Sequence, residues 1–136
     1  MLRFAAAIAA TLSLAACATT PPERTLAVTG NIAYRERIAL PPTARIEVKL
    51  DDVSLADAPS RTMASQSFAS EGKQVPFAFS LTVDRADIDP RHSYAVSARI
   101  TDADGKMMFI TDTRNSVTFG SGSTVDMGTL MLIKTH

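Results

Sequence analysis

Val75-Pro76-Phe77-Ala78-Phe79-Ser80-Leu81-Thr82-Val83 carries the strongest alternation in the chain, with a large apolar side chain at every second position from 77 to 83. Successive side chains of a strand point to opposite faces, so this stretch presents one apolar face to a core and one polar face to water. Pro76 lies near the start, where a strand tolerates a missing N–H. Phe77 and Phe79 share the inward face at core spacing, so packing accounts for them before any ligand does.

The same period of two extends outward in both directions. Upstream, Leu26, Val28, Ile32 and Tyr34 alternate with Ala27, Thr29, Asn31 and Arg35, and Gly30 interrupts the apolar face as at a bulge. The paired Pro41 and Pro42 end that element. Ile46, Val48 and Leu50 then alternate with Glu47, Lys49 and Asp51. Asp51 to Ser60 is a polar connection, and Met63 to Phe68 is a weaker strand that reads as a sheet edge. Downstream, Asp84 is positioned to cap one helical turn over Arg85 to Asp87. Tyr94, Val96, Ala98 and Ile100 form the next strand, Asp102-Ala103-Asp104-Gly105 signals a hairpin, and Met107 to Thr113 returns from it. Thr118 to Thr124 is a Gly-, Ser- and Thr-rich loop before a last strand, Val125 to Ile133. About seven or eight short strands at regular spacing imply an all-β domain, expected as a single antiparallel β-sandwich.

Composition removes several function classes. Lys plus Arg and Asp plus Glu both number 14, so no net charge steers the chain toward nucleic acid, and no basic stripe or aromatic platform supports such binding. Cys17 is the single cysteine and has no intramolecular partner; His92 and His136 are too few for a metal cluster. Neither a metal nor another cofactor is expected. His136 is the last residue, and His92 reads as an exposed loop side chain beside Arg91, so Ser/His/Asp chemistry has no base. Asp84, Asp87 and Asp89 are interleaved with Arg85 and do not follow an EF-hand pattern. They read as caps and turns, as do Asp102, Asp104 and Asp112. Glu36 and Asp51 are not placed as a glycosidase pair, and Gly120-Ser121-Gly122 lacks the Lys and helix of a phosphate loop. The chain reads as non-enzymatic.

The first residues are an address. Met1-Leu2-Arg3 precedes an apolar run from Phe4 to Leu14, the layout of a secretory signal and shorter than the roughly 20 residues that span a bilayer. Leu14-Ala15-Ala16-Cys17 resembles the bacterial lipobox. The resemblance implies cleavage between Ala16 and Cys17, a diacylglycerol on the Cys17 thiol and acylation, as by palmitate, of the new amino terminus. Several acyl chains together give stable membrane anchoring. Ala18, where an Asp usually retains a lipoprotein at the inner membrane, points to the outer membrane, facing the periplasm. The expected organisation is a signal peptide over residues 1–16, a lipidated Cys17 and proline-containing tether over 17–25, and a β-domain over 26–136.

Ile88-Asp89-Pro90-Arg91-His92-Ser93-Tyr94 resembles the tyrosine corner of fibronectin type III-like and immunoglobulin-like sandwiches. That implies structural roles for Pro90 and Tyr94, with the phenol bonded to backbone upstream. Val28-Thr29-Gly30, Tyr34 to Pro42, Val48 to Ser54, Ala56 to Pro59, Gln74 to Phe77, Ile88 to Tyr94 and Phe109 to Thr113 together resemble the YbaY-like lipoproteins. This family is grouped with YscW, the pilotin lipoprotein of type III secretion; pilotins bind a secretin subunit and help carry it to the outer membrane. The resemblance implies a domain that binds or chaperones an envelope protein. The alternative is a small-molecule or glycan site among loops at one end.

Overall fold

The computed structural model describes residues 24–55 and 57–135. Each alternating stretch becomes a strand: β1 Thr25–Tyr34, β2 Arg45–Asp52, β3 Arg61–Ala69 and β4 Phe77–Asp84. A 3₁₀ turn, Arg85–Asp87, precedes β5 Tyr94–Thr101, β6 Met107–Ile110, β7 Asn115–Val117 and β8 Thr124–Lys134. In β4 the alternation is strict: Phe77, Phe79, Leu81 and Val83 are buried and the residues between them exposed.

The strands join in one continuous sheet, in the order β3-β2-β5-β6-β8-β1-β4, with β7 also on β5. The expected pair of antiparallel sheets is therefore replaced by a single curled sheet, close to a barrel. One pairing, β1 with β8, is parallel. Alternation reports which face of a strand is buried, but is silent on its neighbour and direction. The inward faces of all parts of the curl share one core, including Val28, Ile46, Leu81, Val96, Ile100 and Phe109. Tyr34 stacks on Phe109 with ring centroids 3.9 Å apart. Its hydroxyl donates to Ile38 O at 2.6 Å, and burial, then the Glu36 charge, pushes the phenol's pKa up.

Gly30 sits on the buried face of β1, opposite Phe79 of β4. A Cβ there would lie 2.7 Å from Gly128 O and 2.9 Å from Phe79 Cζ, so a bare glycine lets the ring and the neighbouring strand close over the gap. The β1–β8 register shifts between Thr29 and Asn31, so the irregularity expected at Gly30 is present. The extra residue is on β8, where Gly128 adopts φ 67° and its N–H is accepted by Asp126 Oδ1 at 2.8 Å.

The strand expected over Met107 to Thr113 stops at Ile110, and a separate short strand, β7, follows beyond it. β6 pairs with one end of β5 and β7 with the other. Between them Thr111 donates its N–H to Ala98 O at 3.0 Å and accepts Ala98 N at Oγ1, taking ladder partners with its side chain. At one end of the sheet, the Pro41-Pro42 loop is held by the segment after β3. Ser70, 1% exposed, donates its hydroxyl to Pro41 O at 2.6 Å, while Gln74 bonds both Leu40 N and Leu40 O through its amide.

Candidate functional site

Two regions concentrate the candidate residues: the loop end around Tyr94, and the seam where the two ends of the sheet meet. Cys17, the Ala16–Cys17 cleavage point, most of the tether and His136 lie outside the described residues.

At the loop end, β5 begins at Tyr94, whose buried ring meets Phe119 edge-on at 5.6 Å. The phenol oxygen accepts the Asp89 N–H at 2.8 Å, spanning the turn that contains Pro90. His92, read from sequence as a plain exposed side chain beside Arg91, is more engaged than that. Its side chain is 45% exposed, with Nδ1 2.7 Å from Asp52 Oδ2 and Nε2 3.7 Å from Asp89 Oδ2. Ser54 also joins this group, donating its hydroxyl to Asp52 Oδ1 at 2.6 Å and accepting the Ser93 N–H at 2.8 Å. Asp52 thus stands between Ser54 and His92. A nucleophilic triad needs the histidine in the middle, accepting the serine proton. The order found here fastens the β2–β3 connection to the turn before β5, reinforced by Val53 N donating to Ser93 O.

The electrostatics agree with a fastening role. Hydrogen bonds from Ser54, then His92, hold the Asp52 carboxyl below its ordinary value. Asp89 is pulled down to about 2, chiefly by the Arg91 guanidinium and backbone N–H. The other aspartates work locally: Asp84 accepts Ala86 N, and Asp102 Oδ1 accepts both Asp104 N and Lys106 N. Among the described residues no three His, Cys, Asp or Glu side chains form a metal-binding group.

A cleft of about 560 Å³ opens beside Tyr94, with Leu26, Ile88 and Phe119 in its wall. Its volume lies in the range of small-molecule sites. Part of its polar lining is engaged within the protein, because Arg85 donates to Gly120 O and Gly122 O, and Asp89 is bonded by Arg91; Arg114, Ser116 and Thr118 complete that lining.

At the seam, β3 and β4 end the sheet path and do not pair through their backbones. The edge expected from the weak Met63 to Phe68 alternation is therefore real. Two side-chain links hold the ends together. Gln66 Oε1 of β3 accepts the Ser80 N–H of β4 at 2.9 Å, and Phe68 lies 5.9 Å from Phe77 below it. Gln66 and Ser80 were not singled out by the sequence. Alternation marks both as outward or marginal positions, and only the topology brings them face to face.

Comparisons with known proteins converge. The uncharacterized lipoprotein YbaY of Escherichia coli (strain K12) is 44% identical over 100 residues, 74% of this chain and 52% of the relative, so this chain spans about half the length of that curated protein. An alternative pilotin from the type II secretion system of Vibrio cholerae, a solved structure, matches with a TM-score of 0.72 at 47% identity, over 82% of this chain and 98% of that one. The family model described as the type III secretion system lipoprotein chaperone, YscW, matches residues 23–128, from just before β1 into the bulge of β8. The curled eight-stranded sheet, with its fastened loop end and its side-chain-bridged seam, belongs to a member of the YscW family of lipoprotein chaperones.

Proposed function

We propose that this protein is a lipid-anchored, non-enzymatic chaperone of a secretion-system envelope protein, with a pilotin-like role. The observation that carries this reading is the 47% identity and 0.72 TM-score to a type II secretion pilotin, over nearly the whole of that chain. Family membership supports it, and so does a His92 cluster built as a fastening rather than as a nucleophile–base pair.

In this reading residues 1–16 are a cleaved signal peptide and Cys17 carries the acyl chains. The segment to residue 25 is a tether, and the domain from residue 26 onward does the binding at the periplasmic face of the outer membrane. Ala18 supports that destination. The β3 edge is the first place to look for the partner, since an open edge accepts an incoming strand by backbone pairing. The cleft beside Tyr94 supports a lesser reading as a small-molecule or glycan site. The bonds that already engage Arg85 and Asp89 in its wall weigh against it.

Crosslinking of the lipidated protein in its own cells tests the proposal. The expected product is an adduct with an outer-membrane component of a secretion system; no adduct above background contradicts it. Thermal shifts with envelope glycans test the lesser reading, and a shift without any protein adduct would favour it.

A further inference from the structure

The geometry points to the β3–β4 seam as a slot for one extended segment of the partner protein, with Gln66 as a latch that such a segment displaces. This deepens the chaperone reading and rests on it. The backbone supplies the first reason. N–H and C=O groups of successive strand residues point to opposite sides, so Ala78 and Thr82 direct theirs to the same side as Ser80, away from β1. A row of unpaired groups is a template for another strand.

The latch is the second reason. A side-chain amide oxygen, Gln66 Oε1, occupies the place a partner strand's carbonyl would take on Ser80 N–H at 2.9 Å. The third is a cleft of about 350 Å³ at one end of the seam, between Phe68 of β3 and Phe77 of β4, its wall completed by the connection that carries Glu71, Lys73 and Pro76. A strand in the slot would set a side chain over the Phe68 and Phe77 rings at this end, so the segment needs an apolar residue there. Paired strands lie about 4.8 Å apart, so full insertion requires β3 and β4 to separate to about twice that spacing and Gln66 to let go. Only a segment with both of its own edges free fits between two edges. A second copy of this chain brings edges already built into a curled sheet and is the poorer occupant.

The test uses the full-length lipoprotein in its own cells, with a photo-crosslinking residue at Gln66, at Ser80 or, as control, at the exposed Met131 on β8. Adducts from the seam positions alone, mapped by mass spectrometry to one extended segment of a secretion-system protein, are expected. That segment, made as a synthetic peptide of about ten residues, should bind the purified protein and slow amide exchange at Ala78, Ser80 and Thr82. Ser80→Pro removes the outward donor but none of the bonds to β1, and should weaken the peptide about tenfold. Gln66→Ala should tighten it about fivefold, because a competing hydrogen bond is gone; this variant decides the matter if Ser80→Pro does not fold. Adducts from Met131 alone, a second copy as the only seam adduct, or peptide weakened by Gln66→Ala overturns the slot while leaving the chaperone reading standing. No adduct from any position overturns both.

Discussion

Tyr94 keeps a single oxygen atom inside the protein, and that oxygen accepts the Asp89 N–H at 2.8 Å. Tyr94→Phe preserves the ring packing against Phe119 and leaves the amide without its partner, so stability should fall by about 1–3 kcal/mol. Urea unfolding checks this, with partner binding expected to be unchanged; equal midpoints for the two proteins would remove the structural role of the phenol. Gly30 makes the opposite kind of demand. A methyl group there has no room between Gly128 O and Phe79, and Gly30→Ala should cost about 1–3 kcal/mol through overpacking. A thermal melt unchanged by this substitution would contradict so tight an approach. The sequence indicated both positions, Tyr94 through the turn that precedes it and Gly30 through the gap in an apolar face. It did not indicate Ser70, because a buried serine looks like any loop serine until Pro41 O appears 2.6 Å away.

Among the elements, the strands were legible wherever one face is apolar and the other polar, and the β4 pattern is the clearest case. Direction and partner were not. Nothing in the alternation of Val125 to Ile133 distinguishes a parallel neighbour from an antiparallel one, and β8 proved parallel to β1. The break between β6 and β7 was hidden for a related reason: Thr111 is a good strand residue, but its hydroxyl competes for the ladder. The turn before β5 carries a pH prediction. Arg91 holds the Asp89 carboxyl down to about 2, below the ordinary carboxylate value near 4. A lowered folded-state pKa gives stabilisation that is present above about pH 4 and lost as the pH falls toward 2. Carboxyl NMR titration of Arg91→Ala should find the Asp89 midpoint moved up toward that ordinary value. A midpoint that stays near 2 would show that the arginine is not the cause.

For the whole molecule, the blocks from Val28 to Thr113 revealed the family but not the closure of the sheet. The β4 end looks like any core strand in sequence and the β3 end reads only as an edge with no stated neighbour, while the Gln66–Ser80 bond joins residues 14 positions apart. The His92 cluster was hidden in the same way, since Asp52 lies 40 positions from the histidine it touches. Cys17 sets where this domain acts in the proposed function. A Cys17→Ala protein should fold normally and leave the membrane fraction; continued sedimentation with outer membranes would argue against the anchor. The central proposal, that an anchored domain assists an envelope protein, is tested most directly by fractionating the partner captured by crosslinking. Its outer-membrane share is compared in cells that have this protein, lack it, or carry Cys17→Ala. The expected result is a partner that reaches the outer membrane only beside the lipidated protein; an equal outer-membrane share in all three would contradict the chaperone role.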